Sequence, residues 1–278
     1  MACSRCQTRY PRATGGVPDL RLQAARRVRI AFDVGTAPPS VEGLDLTPLQ
    51  RCPAPQVDFR GCPLPYHMSE ELRSYLPAPR GPGSLALDLG CGDAIHREML
   101  RYAGFEYLGM DVDPGGATVL GDAHALPLKA RSMELVLSVA VLEHLRFPAV
   151  AMREVRRVLE PGGWFIGTVA FLEPFHQESY YHHTHLGLLS TLQHGGLEVH
   201  RLAPSRSWNV FAAQARMAPR PPGMPAALAR WSNAVPSAVS DGWFRVARAA
   251  GRGQGEAHWL RSVTGAFSYV ARRPTTPP

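Results

Sequence analysis

The sequence predicts an α/β fold in which a mostly parallel sheet of seven strands carries helices on both of its faces. Short apolar runs alternate with segments of helical periodicity over most of the chain. Most of these runs are apolar throughout, which is typical of parallel strands that are buried on both faces. The 278 residues, 45% of them hydrophobic and 19% charged, suffice for one such domain and a small appendage.

The chain divides into an N-terminal appendage, a linker and the strand–helix domain. Residues 1–30 contain a Cys-x-x-Cys pair and a turn-rich stretch. Residues 31–84 are rich in proline and are predicted to form a linker that ends in a leading helix, from Met68 to Leu76. Ser69 is the predicted N-cap of this helix. The domain itself is predicted to span residues 85–273.

Within the domain, strands and helices alternate. The predicted strands are 85–89, 106–110, 118–120, 134–139, 164–171, 197–202 and 267–271, and the predicted helices are 96–103, 148–159 and 186–194. The segment 205–262 holds four of the five tryptophans among prolines and arginines. We expect short helices that cap the sheet, with the indole rings as packing anchors. A substrate lid or a membrane-surface element is the alternative, because tryptophan with arginine suits an interface.

The net charge of +7 is uneven along the chain. Residues 201–278 hold eleven arginines and two acidic residues, while Lys129 is the only lysine of the sequence. This bias indicates skewed composition more than a phosphate-binding surface, although a basic tail keeps nucleic acid as an alternative partner. No run of about 18 uncharged apolar residues is present, and arginines interrupt the N-terminus, so we expect neither a membrane span nor a signal peptide. The expected location is therefore cytoplasmic.

A glycine-rich loop directly follows the first predicted strand. Asp88 lies near the end of that strand, and Gly90, Cys91 and Gly92 follow it. Glycine lets the backbone turn sharply and approach a ligand closely, and the N-terminus of a following helix suits an anionic group. This signal alone is shared by many nucleotide-binding folds. About 20 residues later the second strand ends at Asp111, where a carboxylate can accept hydrogen bonds from a ribose.

Other polar residues follow the third and fourth predicted strands, at 121–123 and 138–144. The carboxyl ends of strands are where open α/β sheets bind ligands. A dinucleotide-binding fingerprint would require a third small residue at position 95. Because Ile95 stands there, dinucleotide binding is disfavoured.

These motifs, in this order and spacing, resemble class I S-adenosylmethionine-dependent methyltransferases of the type 11 group. The resemblance covers residues 85–172 strongly and extends weakly to Arg273. It implies a Rossmann-like sheet and S-adenosyl-L-methionine as the cofactor. The motifs are LDLGCGD, GMDVD, GDAHALPL, ELVLSVAVLEHL and REVRRVLEPGGWF.

The resemblance also implies roles for individual residues on the cofactor side. Asp88 and the loop of Gly90, Cys91 and Gly92 would receive the methionine part, and Asp111 would hold the ribose. The other implied contacts are Val112 on the adenine face, Asp122 and Ala123 at the adenine amino group, and Ser138 and Val139 on the floor near the sulfonium.

The acceptor side is less well defined by the sequence. A base is needed only if the acceptor carries a proton to lose, and His144 is the best-placed candidate; alternatively, Glu143 and His144 only begin the next helix. Residues 180–185 resemble the family's segment after strand five, so Tyr180 and His182 are expected to help close the acceptor pocket. A metal held by the histidines of this segment is not favoured, because no carboxylate partner is obvious.

The sequence has five cysteines, of which Cys3 and Cys6 form a Cys-x-x-Cys pair in the N-terminal segment. An odd number of cysteines argues against a disulfide framework. Cys3 and Cys6, with the turn at 16–20, resemble the second half of a Trm112-like zinc-ribbon module, which often precedes or partners methyltransferases. Structural zinc takes four ligands, so this pair is at most half a zinc site unless Cys52 and Cys62 complete it.

The expected function is methyl transfer from S-adenosylmethionine to an oxygen, nitrogen or carbon of a small-molecule acceptor. No Asn/Asp-Pro-Pro-Tyr/Phe motif follows the fourth strand, which argues against transfer to an exocyclic base nitrogen of nucleic acid. Two alternatives stay open. One is an RNA methyltransferase acting on tRNA or rRNA, suggested by the basic ends and the zinc-like half-motif. The other is a scaffold protein that binds the cofactor without turnover. The sequence does not predict the oligomeric state.

Overall fold

A computed structural model describes residues 9–31, 44, 46–217, 222–252 and 255–275. These residues contain a seven-stranded sheet with the order β3-β2-β1-β4-β5-β7-β6. The strands are β1 Leu85–Leu89, β2 Glu106–Asp111, β3 Val119–Leu120, β4 Met133–Val139, β5 Leu159–Ala170, β6 Glu198–Pro204 and β7 Ala266–Arg272. The helices are α1 Glu70–Arg73, α2 Arg97–Tyr102, α3 Pro148–Val158, α4 His185–His194, α5 Val210–Met217, α6 Ala226–Ala249 and α7 Glu256–Val263.

The sheet is mostly parallel, as predicted. Strands β1 to β5 run parallel to one another, and β7 is antiparallel to both β5 and β6. The chain builds β1, β2 and β3 outward in one direction and then returns to place β4 on the other side of β1. This reversal opens a crevice at the carboxyl ends of β1 and β4, which is where such sheets bind ligands.

Both faces of the sheet are covered because the central strands are apolar on both sides. All seven residues of β4 are buried. On one face α3 contributes a stripe of buried residues at helical spacing, formed by Ala151, Met152, Val155 and Val158, which packs in one cluster with α4. On the other face α1, α2 and part of the linker form a second cluster around Leu72, Leu100 and Phe105.

The leading helix is shorter than predicted, since α1 covers only Glu70–Arg73. Ser69 is its N-cap, as predicted, and its hydroxyl accepts a hydrogen bond from the Leu72 N–H at 3.1 Å. The helix ends early because Ser74 turns to the linker: its hydroxyl accepts from the Cys52 N–H at 2.8 Å and donates to the Glu71 carbonyl.

The N-terminal appendage lies along the edge of the sheet beside β3. The Leu120 N–H donates to the Pro18 carbonyl at 2.9 Å, and the Leu20 N–H donates to the Leu120 carbonyl at 2.9 Å. Ala13 and Val17 pack beside this edge against Cys91 and its neighbours. Cys3 and Cys6, the pair that resembles half of a zinc site, lie outside the described residues.

The segment between β6 and β7 contains α5, α6 and α7. Two of its tryptophans pack as expected: the Trp208 indole N–H donates to the Glu173 carboxylate, and Trp259 lies 4.3 Å from Phe244 between ring centroids. The packing prediction is wrong for Trp231 and Trp243, which are 68% and 71% exposed on α6. In the described part of the chain, no helix combines the length and apolar character required to cross a bilayer.

Candidate active site

The glycine-rich loop after β1 adopts a conformation that favours glycine. Gly90 and Gly92 have φ angles of 70° and 50°, and the N–H groups of Gly90 and Cys91 donate to the Met110 carbonyl at 2.8 and 3.2 Å. A Cβ on Gly90 would collide with Val141, whereas a Cβ on Gly92 would meet no atom within 4 Å. The loop is therefore hydrogen-bonded to β2 on one side and leaves open space beside Gly92.

Asp111, at the end of β2, is fixed beside this open space. Its Oδ2 accepts a hydrogen bond from the Gly92 N–H at 2.9 Å, and its Oδ1 accepts from the Asp113 N–H at 3.1 Å. Each carboxylate oxygen has two lone pairs, so both retain the capacity to accept from a ligand hydroxyl. The next residue, Val112, is 50% exposed, and its carbonyl accepts from the Arg21 guanidinium at 3.0 Å.

A second glycine segment supports the loop and was missed by the sequence analysis. The Gly116 N–H donates to the Gly92 carbonyl at 2.7 Å. A Cβ on Gly116 would lie 2.6 Å from the backbone carbon of Asp93, and one on Gly115 would lie 2.8 Å from the Gly92 carbonyl oxygen. The two glycines after Asp113 are the signal in the sequence, because only residues without a side chain allow this close approach.

Asp88 is buried beneath the loop and is only partly satisfied. Its Oδ2 accepts from the Tyr107 hydroxyl at 3.1 Å. Its Oδ1 lies 3.4 Å from the His96 Nδ1 but has no partner with hydrogen-bond geometry among the described residues. Burial and the nearby carboxylates of Asp88 and Asp111 raise the pKa of Cys91 to about 12, so this thiol stays protonated and is not an activated nucleophile.

The remaining cofactor-side residues predicted from the sequence lie at the ends of β3 and β4. Asp122 Oδ1 accepts from the backbone N–H of His124 at 2.8 Å and lies 2.6 Å from its ring Nδ1; these contacts lower the pKa of Asp122. Ala123 is buried beside it. Ser138 and Val139 are buried at the end of β4, and in the described chain the Ser138 hydroxyl has no hydrogen-bond partner.

The acceptor side is built from the turn after β4 and the segment after β5. Residues Leu142–His144 form a 3₁₀ turn, not the start of α3. The Glu143 carbonyl accepts from the N–H groups of Tyr180 and Tyr181, at 2.7 and 3.2 Å, so the two segments are joined by backbone hydrogen bonds. Tyr180 is 56% exposed at this junction.

Several histidines converge at the same junction. The rings of His144 and His176 meet edge to face at 5.3 Å, and His182 lies 5.9 Å from His176. The His182 Nε2 is 3.2 Å from the Ser179 hydroxyl. Burial, followed by the neighbouring His176, lowers the pKa of His144, so its ring is neutral near pH 7. His183 is buried, and its ring lies 6.2 Å from that of Tyr181.

The burial of Glu143, on the acceptor side, was not evident from the sequence. Its side chain is fully buried. Burial raises the pKa of Glu143 to about 7, and the nearby Glu173 carboxylate adds to the increase. The sequence analysis also gave no role to His176 and Glu173, which lie far from the fourth strand in sequence and are brought beside it only by the pairing of β4 with β5.

Comparison with known proteins connects this geometry to a family. Residues 87–167, under a third of the chain, match the family model described as a methyltransferase domain. They contain the loop, Asp111 and the turn at Glu143. Residues 87–167 are a class I S-adenosylmethionine-dependent methyltransferase domain.

The methyltransferase domain also aligns with curated proteins. A protein of Encephalitozoon cuniculi named as a methyltransferase is 41% identical over 88 residues, which cover 29% of this chain and 42% of that protein. The malonyl-[acyl-carrier protein] O-methyltransferase of Serratia marcescens is 31% identical over 93 residues, which cover 30% of this chain and 36% of that enzyme. The alignments therefore span less than half the length of these relatives.

One solved structure supports the fold of the methyltransferase domain. It is a chain from the complex of the Haloferax volcanii Trm112 methyltransferase activator with a methyltransferase. The TM-score is 0.50 at 18% identity, over 77% of this chain and 91% of that one. At this identity the likeness concerns the fold alone.

The residues of the methyltransferase domain fit S-adenosylmethionine. Gly92 leaves open space where a side chain would stand, and Asp111 offers carboxylate lone pairs beside it. The buried Asp88 Oδ1 and the Ser138 hydroxyl lack partners among the residues described. Buried polar atoms in native proteins are normally satisfied, and a bound molecule with amino and hydroxyl groups would satisfy them.

Proposed function

We propose that this chain transfers the methyl group of S-adenosylmethionine to a small-molecule acceptor. The observation that carries the proposal is the Asp111 carboxylate, held by the Gly92 N–H beside the open surface of the loop. A carboxylate at the end of the second strand, next to a glycine loop, is the arrangement that binds ribose hydroxyls in sheets of this topology.

In this proposal the cofactor lies across the carboxyl ends of β1, β2 and β4. The methionine part would bind at Asp88 and along the loop of Gly90, Cys91 and Gly92. Asp111 would accept from the ribose hydroxyls. The adenine would lie against Val112, near Asp122 and Ala123, and the sulfonium would lie above Ser138 and Val139.

The acceptor would bind beside the turn after β4. His144, Tyr180 and His182 border this region, and the backbone bonds between Glu143 and residues 180–181 hold it in place. The chain's own segment after β5 would cover the region, which would favour a small acceptor over a large one. The Serratia marcescens relative is named for methyl transfer to an oxygen of a malonyl group attached to a carrier protein, so its name supports an oxygen acceptor but not a free small molecule.

The protein's contribution to this reaction is mainly positional. The bound cofactor supplies a methyl group on an already activated sulfonium, so an in-line approach by the acceptor is the main requirement. Ser138 and Val139 would shape the floor, while Tyr180 and His182 would exclude water and orient the acceptor.

Cofactor binding is the first test of the proposal. The full chain is titrated calorimetrically with S-adenosylhomocysteine, as wild type, Asp111→Ala and Asp113→Ala. Loss of a charge-assisted hydrogen-bond pair, at about 1.5–3 kcal/mol, predicts affinity about 10- to 100-fold lower for Asp111→Ala. Asp113→Ala removes the same charge two residues away and should bind within about threefold of wild type.

The acceptor is tested next with radiolabelled S-adenosylmethionine and a panel of hydroxy, amino and carboxylic acids. The double variant Tyr180→Ala, His182→Ala is measured for both methyl transfer and cofactor binding. A larger loss of methyl transfer than of cofactor binding would support an acceptor role for these two residues. If wild type binds no S-adenosylhomocysteine, the proposed function is wrong; cofactor binding without transfer to any acceptor favours a scaffold protein.

RNA is the second candidate acceptor, because exposed arginines follow one another along the C-terminal half of α6 and beyond it. Arg245, Arg248 and Arg252 are exposed there, with Asp241 one turn earlier. If tRNA or rRNA is the acceptor, its binding should weaken steeply with salt, and these arginines should set the slope. Binding that hardly changes with salt would exclude this candidate.

A further inference from the structure

Glu143, His144 and His176 form a cluster at the carboxyl ends of β4 and β5, called here the Glu–His cluster. Each side chain offers one donor atom, and the three atoms all lie within 4.8 Å of one another. Ligands of one tetrahedral ion, each at about 2.1 Å, are about 3.4 Å apart. Donor atoms at the 4.8 Å limit must therefore approach one another by about 1.4 Å to share an ion, which requires side-chain rotation.

The Glu143 carboxyl group is buried and only weakly satisfied. Its side chain is 0% exposed; the backbone N–H groups of Glu143 and Ala170 favour its ionised form, but neither Oε1 nor Oε2 has a hydrogen bond of good geometry within the described residues. A buried carboxylate without strong partners is costly by several kcal/mol, and even a neutral carboxyl group needs an acceptor for its proton. This group therefore lacks a well-placed partner among the described residues.

The charges around the cluster favour a cation as that partner. The nearest charged group acting on Glu143 is another carboxylate, that of Glu173, which also lies 3.8 Å from the His176 Nε2. No arginine or lysine of the described chain forms a salt bridge with Glu143 or Glu173. The site thus brings together two carboxyl groups, of which Glu173 accepts from the Trp208 indole and lies beside His176.

The imidazole rings are oriented as metal ligands. The His176 Nδ1 lies 2.9 Å from the Pro174 carbonyl, which can only accept, so Nδ1 carries the proton and Nε2 keeps its lone pair. This ring orientation by a carbonyl is the usual outer support of a metal-binding histidine. The His144 Nδ1 is buried and has no partner in the described part of the chain.

We propose that the Glu–His cluster binds one divalent transition-metal ion. Two imidazole nitrogens and one carboxylate oxygen favour Zn²⁺, Mn²⁺ or Fe²⁺ over Mg²⁺, which prefers oxygen ligands. Three protein ligands leave coordination positions open, as in metal sites that act on a substrate. His144 is then a ligand, and the ion performs the task that a general base would otherwise have.

The role of the ion in turnover rests on the proposed function. An acceptor hydroxyl on the open position would lose its proton more readily, because a bound cation lowers the pKa of a coordinated oxygen acid. The proton passes to solvent, and an oxygen lone pair forms the bond to the methyl carbon. The carbon–sulfur bond breaks with its electron pair on sulfur, which gives S-adenosylhomocysteine and the methyl ether or ester.

Metal binding is tested on the full chain in a Cys3→Ser, Cys6→Ser background, so that these thiolates do not contribute. The protein is stripped with a chelator and titrated with Zn²⁺ alone and with Mn²⁺ alone. Bound metal is counted by mass spectrometry after gel filtration, and the Tm is followed because a ligand of the native state raises it. We expect one tightly bound ion per chain and a higher Tm.

Three variants locate the ion. Glu143→Gln and His176→Gln should each bind at least about 100-fold more weakly, since even residues that only support a ligand cost 10- to 100-fold. His185→Gln is the matched control: this histidine lies in the same region but packs on Phe267 and should leave binding unchanged. His176, in an irregular segment, provides a second test if Glu143→Gln fails to fold.

Two results would overturn the metal site. One is a background protein that retains neither Zn²⁺ nor Mn²⁺, and the other is unchanged affinity in both cluster variants. S-adenosylhomocysteine binding is measured in the same samples. If that binding persists while the ion does not bind, only the metal site is wrong, whereas metal binding without cofactor binding would refute only the proposed function.

Discussion

Gly167, in β5, allows two buried groups to meet under the cofactor side of the domain. The Tyr269 hydroxyl reaches across β5 and donates to the Ser138 carbonyl at 3.1 Å. It passes over Gly167, where a Cβ would lie 1.7 Å from the Ser138 oxygen and 2.5 Å from the Tyr269 hydroxyl. Complete burial raises the pKa of Tyr269 well above its usual value, so the phenol remains a donor. The position of Ser138 thus depends on a missing side chain.

Gly167→Ala is expected to lower the free energy of unfolding by about 3 kcal/mol, because strand backbones cannot move apart locally without loss of neighbouring packing. Urea denaturation measures the change. Gly187→Ala is the control, since its Cβ would meet only Thr184 Oγ1 at 3.4 Å, in ordinary contact. Alanine in a helix is favoured over glycine, so the control should gain up to about 1 kcal/mol. Similar effects of both substitutions would contradict this account.

Individual cofactor-side residues could be predicted from the sequence because they are local: each lies at the carboxyl end of the strand that positions it or soon after that end. Asp111 and the loop of Gly90 and Gly92 do lie together, with a direct hydrogen bond between Asp111 and Gly92. The roles of the predicted residues toward a ligand stay predictions. Glu143 could not be evaluated in the same way, because its burial and its neighbour His176 depend on how β4 pairs with β5.

At the scale of elements, α4 shows how one side chain defines a helix start. The Thr184 hydroxyl accepts from the Gly187 N–H at 3.1 Å and so satisfies one of the free N–H groups of the first turn. The helix then buries Leu188, Leu189 and Leu192 against the sheet. Because α4 follows the segment that carries His176 and His182, its start also fixes where that segment ends.

Thr184→Ala is expected to cost about 1 kcal/mol of stability through loss of this cap, which is about 2–4 °C in Tm. The control is Thr191→Ala in the same helix, where the hydroxyl only bonds back to the Gly187 carbonyl at 2.8 Å. Such a bond contributes little to a helix, and alanine has the higher helix propensity. Thermal melts of both variants measure the difference, and a larger loss in Thr191→Ala would argue against the capping role.

The bounds of the central strands were predictable from their apolar runs. The bounds and exposed faces of helices that depend on distant contacts were not. The strand predictions for β1 and β2 agree with the structure within one residue, since continuous apolar runs leave few alternatives. The leading helix was predicted too long because Ser74 bonds to Cys52, 22 residues away. The exposure of Trp231 and Trp243 could not be predicted, since composition does not reveal which face of α6 packs.

At the scale of the whole molecule, a buried histidine couples stability to pH. Burial, followed by the neighbouring His182, lowers the pKa of His183 to about 4. The usual value of 6.5 applies in the unfolded chain, so between pH 6.5 and 4 the unfolded chain binds a proton that the native state does not. The contribution of His183 to stability is therefore lost as pH falls through this range, by up to about 3 kcal/mol, whereas the raised pKa of Glu143 acts in the opposite direction.

His183→Gln should flatten the acid side of the stability profile, because the substituted side chain does not titrate. Urea denaturation of wild type and variant from pH 4 to pH 7.5 measures it. His258→Gln, at an exposed position of α7, should leave the profile unchanged. A His183→Gln profile parallel to that of wild type below pH 6.5 would show that another group is responsible.

The appendage beside β3 also affects how copies of this molecule can meet. An outermost strand with free N–H and carbonyl groups is a template for strands of other copies. Here the N–H and the carbonyl of Leu120 are already engaged by Pro18 and Leu20. Any copy that adds a strand at β3 must first displace residues 18–20. The appendage therefore protects this edge against self-association through the backbone hydrogen bonds of residues 18–20.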